Sequence, residues 1–162
     1  MNIFLLHILL ALIWTAVTAT FSFGNLIVGL VLGYFVLAVV GPALDKSQYT
    51  RRVRKAIFLF GYFFKELFIS SVRVAIDVMR PGFHMKSGVV DIPLNAKSDL
   101  EITLLANMIS LTPGTLSLEV SEDRKDLFIH AMYIDEGVEQ MRKNIKNGME
   151  RHILEVTRAE YK

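Results

Sequence analysis

The chain has 162 residues, 18 of them Lys or Arg and 16 Asp or Glu, with no cysteine. That length admits one compact domain, or a small domain with an attachment, and the missing cysteine excludes disulfides and thiolate metal sites. The near-balance of charge hides an uneven distribution: residues 1–44 hold no Asp, Glu, Lys or Arg, residues 45–80 hold eight basic and three acidic residues, and residues 81–162 hold ten basic and thirteen acidic.

Ile3 to Ala19 is apolar apart from His7, Thr15 and Thr18. As a helix this stretch is about 25 Å long, so with its flanking residues it matches a hydrocarbon core of ~30 Å. A second apolar stretch runs from Leu26 to Val40, extended by Phe21, Phe23 and Leu44, and Gly41-Pro42 marks its end because proline cannot continue the helix. Only Thr20, Ser22, Gly24 and Asn25 lie between the two as turn-formers, so the spacing predicts an antiparallel transmembrane hairpin over residues 1–44. A cleaved secretory signal fits less well, because no basic residue precedes the first stretch and a second long one comes at once after it. The cluster Arg51, Arg52, Arg54 and Lys55 keeps the end of the second helix on the cytoplasmic side. Gly29 and Gly33 share one face of that helix and leave room for a partner helix to approach.

Residues 45–82 read as a basic amphipathic helix. Tyr62, Lys65, Glu66, Ser70, Arg73 and Asp77 recur at three- and four-residue spacing as a polar stripe, and Phe60, Phe64, Phe68, Val72 and Ile76 lie off it. With its basic lead-in this helix is expected in the cytoplasmic interface, on anionic headgroups, or against partner helices, with Lys65, Glu66, Arg73 and Asp77 as candidate contacts. A third transmembrane span is the competing reading. It would carry four charges into the bilayer at ~2.5–3.5 kcal/mol each, and would put the acidic remainder outside the cell. Arg80-Pro81-Gly82 ends the helix in either case.

Residues 83–162 predict a small cytoplasmic α/β domain of order β-α-β-β-α, its helices on one face of the sheet. Val89 to Ile92 form a strand. Ser98 and Glu101 fit a capping box for a helix from Leu100 to Leu111 that is apolar nearly all round. Leu116, Leu118 and Val120 alternate with polar residues as a strand, and Leu127 to Ile134 make its hairpin partner. Asp135 caps a final helix with the stripe Val138, Met141, Ile145, Met149, Ile153 and Val156, and the pairs Glu139/Lys143, Lys146/Glu150 and Arg151/Glu155 sit at i,i+4.

Thr112, Pro113, Gly114 and Thr115 form the helix-to-strand corner. Proline disfavours helix in the residue before it, glycine accepts positive φ, and the two hydroxyls bond freed backbone groups. A catalytic reading fails because a hydroxyl nucleophile needs a base and an orienting group, and His84, His130 and His152 stand in no such motif. No phosphate loop, dinucleotide fingerprint or metal-ligand spacing is present, so no catalytic, cofactor or metal site is assigned. The basic segment lies among apolar residues and beside a membrane hairpin, which favours lipid over nucleic acid.

The stretch LLANMISLTPGTLSLEV, with SEDRKDLFIHAMYID directly after it, resembles the E subunit of Mrp-type (also Mnh or Pha) multisubunit cation/proton antiporters, and the resemblance covers essentially the whole chain. Ser110 stands where members often carry threonine, and the hydroxyl is kept. The resemblance implies a bacterial inner-membrane complex that exchanges cytoplasmic sodium for external protons, with several hydrophobic partner subunits. The hairpin offers only His7, hydroxyls and Asn25 along any ion path. The expected role is therefore that of an accessory and assembly subunit, not an enzyme. A free-standing membrane-anchored regulatory or binding domain is the alternative.

Overall fold

Two apolar segments free of proline form α1 (Ile3–Val17) and α2 (Phe23–Val40). They belong to the first of two compact units, Met1–Arg54 and Lys55–Lys162. The computed structural model describes residues 3–41, 47–80, 85–134 and 137–158. The expected stops at Pro42 and at Pro81-Gly82, the cap at Asp135, and Leu44 and His84 lie outside those residues.

In the first unit α1 and α2 pack antiparallel through a seam of small and polar residues. Ala11 and Thr15 are buried on α1, and Gly29, Gly33 and Leu37 on α2. A Cβ at Gly29 would lie 2.8 Å from the Ala11 carbonyl oxygen, and one at Gly33 would lie 2.9 Å from the His7 ring. The helix that these glycines admit is thus the chain's own α1. The large apolar side chains, among them Leu5, Leu9, Ile13, Val31 and Phe35, point outward. Asn25 ties the connection: its amide donates to Thr18 Oγ1 (2.6 Å) and the Thr20 carbonyl (2.7 Å), and its Oδ1 accepts from Trp14 Nε1 (3.0 Å). By length and composition α2 qualifies as a membrane span, and α1 is a shorter apolar helix.

The long helix α3 (Ser47–Met79) comes next, and the boundary between the units falls within it. The second unit continues with β1 (Gly88–Pro93), α4 (Asp99–Leu111), β2 (Thr115–Val120), β3 (Asp126–Ala131), α5 (Val138–Ile145), a π-turn (Lys146–Glu150) and α6 (Arg151–Thr157). The sheet order is β1-β3-β2, both pairings antiparallel. The strands β1 and β2 therefore run parallel with β3 between them, and α4 carries the crossover. One face of the sheet, with Val90, Ile92, Leu127 and Ile129, packs on Leu105 and Ile109 of α4 and on Ile145, Met149 and Ile153. Burying these side chains is the main source of the unit's stability, at roughly 1.5–3 kcal/mol each.

Several expectations are corrected. The register of β2 places Ser117 opposite Ile129 and Val120 opposite Leu127, with a bulge between Ser117 and Glu119. The extra residue breaks the period of two. Val120 thus turns inward while Leu116 and Leu118 stay about half exposed, at 52 % and 51 %. The strand β3 stops at Ala131, short of Ile134. In α4 only the stripe Glu101, Ile102, Leu105 and Ile109 is buried, and Leu100, Leu104 and Leu111 lie at the surface. A three-stranded sheet is too narrow to cover a helix on more than one side.

The final helix carries a π-turn that inserts one residue and rotates α6 relative to α5. Glu150 consequently forms no ion pair with a lysine among the described residues. It is fully buried and accepts from the backbone amides of Asn95 (2.5 Å) and Ala96 (2.9 Å). Glu139 pairs with Arg142, which also reaches Asp91, while Arg151 and Glu155 meet at 2.9 Å as expected. Glu150→Ala leaves the buried Ala96 amide and the partly buried Asn95 amide without this acceptor and opens a void. The expected loss is about 2–3 kcal/mol in urea unfolding, with a smaller loss for Glu150→Gln, which keeps one acceptor oxygen.

Candidate functional site

The corner after α4 is built from its own hydroxyls. Thr112 closes the helix, and its Oγ1 donates to the Met108 carbonyl at 2.8 Å. Thr115 Oγ1 donates to the carbonyls of Ile109 (2.6 Å) and Thr112 (3.0 Å). Gly114 adopts φ +89°, and a Cβ there would lie 3.1 Å from the Tyr133 ring, so glycine is required on both counts. Both threonine protons are thus committed to carbonyls, and neither hydroxyl is arranged as a nucleophile.

The face of α3 turned to this domain carries the polar stripe. Leu59 and Tyr62 pack on the domain core. The Tyr62 ring lies 4.8 Å from that of His152, and its hydroxyl sits so close to Gly148 that a Cβ there would collide with it. Burial, then the Glu66 carboxylate beside it, push the Tyr62 hydroxyl up to about 12. One helical turn further, Glu66, Ser70 and Arg73 form one wall of a cleft of about 220 Å3 whose other wall includes Thr112, Gly114 and Tyr133. The Arg73 guanidinium lies 5.2 Å from the centroid of the Tyr133 ring. The polar stripe and the Thr-Pro-Gly-Thr corner, two separate features of the sequence, therefore meet. Of the other stripe residues, Asp77 is half-buried in an adjoining groove and Lys65 is exposed.

The opposite face of α3 is aromatic and open. Phe60 and Phe68 are 65 % and 72 % exposed, and the Phe60 and Phe64 rings pack edge-on at 4.7 Å. This is the reverse of a water-soluble amphipathic helix, whose apolar face packs on its own domain. Arg51, Arg52 and Arg54 are exposed in the first turns of α3, and Lys55 is half-buried.

In the first unit His7 is the one buried titratable side chain among the described residues. Its Nε2 lies 2.7 Å from the Leu30 carbonyl and its Nδ1 lies 2.7 Å from the Tyr49 hydroxyl. A carbonyl only accepts, so Nε2 carries a proton, and Nδ1 pairs with the Tyr49 hydroxyl. Sequence reasoning has no means to find this clamp, since the partners are 23 and 42 residues distant. It misses Tyr133 and Gly148 for the same reason, although a glycine inside a helical run signals close approach of a neighbour.

The chain matches the family described as MNHE, Na+/H+ ion antiporter subunit, over residues 7–156. It is 38 % identical over 154 residues to the Na(+)/H(+) antiporter E subunit of Alkalihalophilus pseudofirmus, covering 95 % of this chain and 97 % of that protein. It is 33 % identical to the corresponding E subunit of Bacillus subtilis, covering 95 % and 97 %. Among solved structures, a chain of the Mrp complex from Dietzia sp. is similar at 29 % identity and a TM-score of 0.50, covering 65 % of this chain and 97 % of that one. Such a protein is a transporter component of a membrane assembly. The chain belongs to the E-subunit family of Na+/H+ ion antiporters.

Proposed function

We propose that the chain is the accessory and assembly subunit of a multisubunit Na+/H+ antiporter in the bacterial inner membrane, bound there to the other integral membrane subunits. In this reading residues 1–44 span the bilayer as a helical hairpin, residues 45–82 lie in the cytoplasmic interface, and residues 83–162 form a cytoplasmic domain. The observation that carries it is the inverted packing of both helical parts. The hairpin buries glycine, alanine and threonine while its large apolar side chains point out, as suits helices in lipid. The helix α3 likewise turns Glu66 and Arg73 to the domain and Phe60, Phe64 and Phe68 away.

The same packing weighs against a transmembrane α3. From Tyr62 to Arg73 it lies along the α/β domain, a run of about 16 Å. Inserting it would carry that domain into hydrocarbon. A helix flat on the membrane, with phenylalanines below and the domain above, needs no such cost, and Arg51, Arg52, Arg54 and Lys55 supply its attraction to anionic headgroups.

His7 is the one buried ionisable side chain among the described residues of the hairpin, and both its ring nitrogens are engaged. Ion translocation therefore belongs to partner subunits. Outward-facing residues of α1 and α2 meet those partners, and the cleft residues Glu66, Arg73 and Thr112 to Thr115 brace the domain on α3. In everted vesicles, Glu66→Gln and Asp77→Asn are expected to lower the amount of assembled complex while antiport per assembled complex stays unchanged. Intact assembly with lost sodium-driven pH change would overturn the accessory role. The topology has its own test: a cysteine at the exposed turn position Glu122 should resist an impermeant maleimide in intact cells and react in everted vesicles, and the chain's lack of native cysteine makes the readout clean.

A further inference from the structure

The groove beside the cleft has a donor set of its own. It measures about 390 Å3 and is lined by Ile69, Val72, Arg73, Ile76, Asp77 and Arg80 along α3, with Tyr133 across from them. Arg73 and Arg80 are two helical turns, about 10.5 Å, apart on one side of the helix, within converging reach of two arginine side chains. Ile76 between them, with Ile69 and Val72 just before Arg73, presents exposed apolar surface along the groove. Stacking on Tyr133 holds the Arg73 guanidinium while leaving its in-plane N–H donors available. Neither arginine has a carboxylate within ion-pair distance among the described residues. Asp77 is the one acid among the described residues lining the groove, and against Arg73 and Arg80 it leaves those residues a single net positive charge.

We propose that this groove is a discrete binding site for one anionic membrane phospholipid, its phosphodiester held by Arg73 and Arg80 and an acyl chain lying on Ile69, Val72 and Ile76. Bidentate arginine donors suit a phosphate, and the apolar strip suits the chain attached to it. The charge of Asp77 favours a singly charged diester such as phosphatidylglycerol over the dianionic monoester of phosphatidic acid. The site differs from the basic cluster at the start of α3, where Arg51, Arg52 and Arg54 are exposed and attract headgroups diffusely. The proposal rests on the interfacial position of α3.

The full chain in mild detergent, offered equimolar phosphatidylglycerol and phosphatidylcholine of the same acyl chains, is tested by native mass spectrometry. Wild type is expected to retain one phosphatidylglycerol in preference. Arg73→Ala and Arg80→Ala each lower that preference roughly tenfold, while Lys143→Ala leaves it unchanged. The Arg80 side chain is exposed and forms no ion pair among the described residues, so Arg80→Ala should melt with wild type and its loss of preference reads on the site alone. Equal retention by wild type and both arginine variants overturns the proposal. Displacement of the lipid by inorganic phosphate overturns the lipid as the source of the anion. A nitroxide at Phe68→Cys tests the interfacial reading separately through its collisions with oxygen and with a nickel chelate. A lipid-buried label without phosphatidylglycerol preference sinks the site alone, and a water-exposed label with the preference retained sinks the interfacial position alone.

Discussion

Gly29→Leu prevents α1 and α2 from closing on each other. A Cβ at this position meets the Ala11 carbonyl oxygen at 2.8 Å and the Ala11 Cα at 3.0 Å, both backbone atoms that cannot swing aside. The helices must separate, and overpacking of this kind costs about 1–3 kcal/mol before the leucine's remaining atoms are placed. Gly33→Leu acts differently. Its Cβ meets the His7 ring at 2.9 Å, and pushing that ring breaks its bonds to the Leu30 carbonyl and the Tyr49 hydroxyl. Leaving buried polar groups unpaired adds about 1–3 kcal/mol. Gly24, with nothing within 4 Å of an added Cβ, is the control. The expected result is a large fall in membrane abundance and detergent-state melting temperature for Gly29→Leu and Gly33→Leu, with Gly24→Ala near wild type. Equal melting of Gly29→Leu and Gly24→Ala would show that the seam does not hold the hairpin.

That seam illustrates which features a sequence reveals. The spacing of Gly29 and Gly33 announces a close helix approach, but not that the approaching helix is α1. Local chemistry is readable throughout the second unit: Ser98 and Glu101 do form a reciprocal capping box, and the Thr112 and Thr115 hydroxyls do take the carbonyls freed at the corner. Each of these contacts spans at most six residues. One-residue insertions stay hidden. The bulge at Ser117–Glu119 and the π-turn at Lys146–Glu150 each shift the register by a single position, and binary patterning has no signal for either. Leu118 and Glu150, read from their periods, therefore fall on the wrong faces. The cleft is legible as two halves. The stripe Glu66-Ser70-Arg73 and the corner at Gly114 are both visible, but the tertiary fold alone brings them together.

Arg158→Ala breaks the most heavily bonded carboxylate of the second unit. Glu101 is 4 % exposed. It accepts from the amides of Lys97 (2.9 Å) and Ser98 (3.2 Å), from Thr157 Oγ1 (2.8 Å), and from Nε (2.9 Å) and Nη2 (2.8 Å) of Arg158. These bonds join the start of α4 to the end of α6, so local capping and tertiary closure depend on one side chain. Removing the cation leaves a buried charge with neutral donors only. Such a loss costs about 3–5 kcal/mol when both groups are fully buried, and the Arg158 side chain is 31 % exposed, so about 2–3 kcal/mol is expected. The double variant Glu101→Gln with Arg158→Ala should lose less than the two single losses added, because no uncompensated charge remains.

The pH dependence fixes the sign independently. The Arg158 guanidinium, then the amides of Lys97 and Ser98 and the Thr157 hydroxyl, hold the Glu101 carboxyl well below the usual carboxylate range against the opposing effect of burial. A folded-state value below the unfolded value, about 4.3 for Glu, stabilises the protein fully above that pH. The stabilisation drains away as the pH falls from there toward the folded value. Wild type should therefore lose stability steeply on acidification below pH ~4.3, where Asp91 and Asp123, also depressed, add their share. Arg158→Ala, its Glu101 less depressed, should start lower and fall less, so the two melting curves converge toward acid. Parallel curves from about pH 7 to about pH 3 would show that Arg158 does not set the charge state of Glu101.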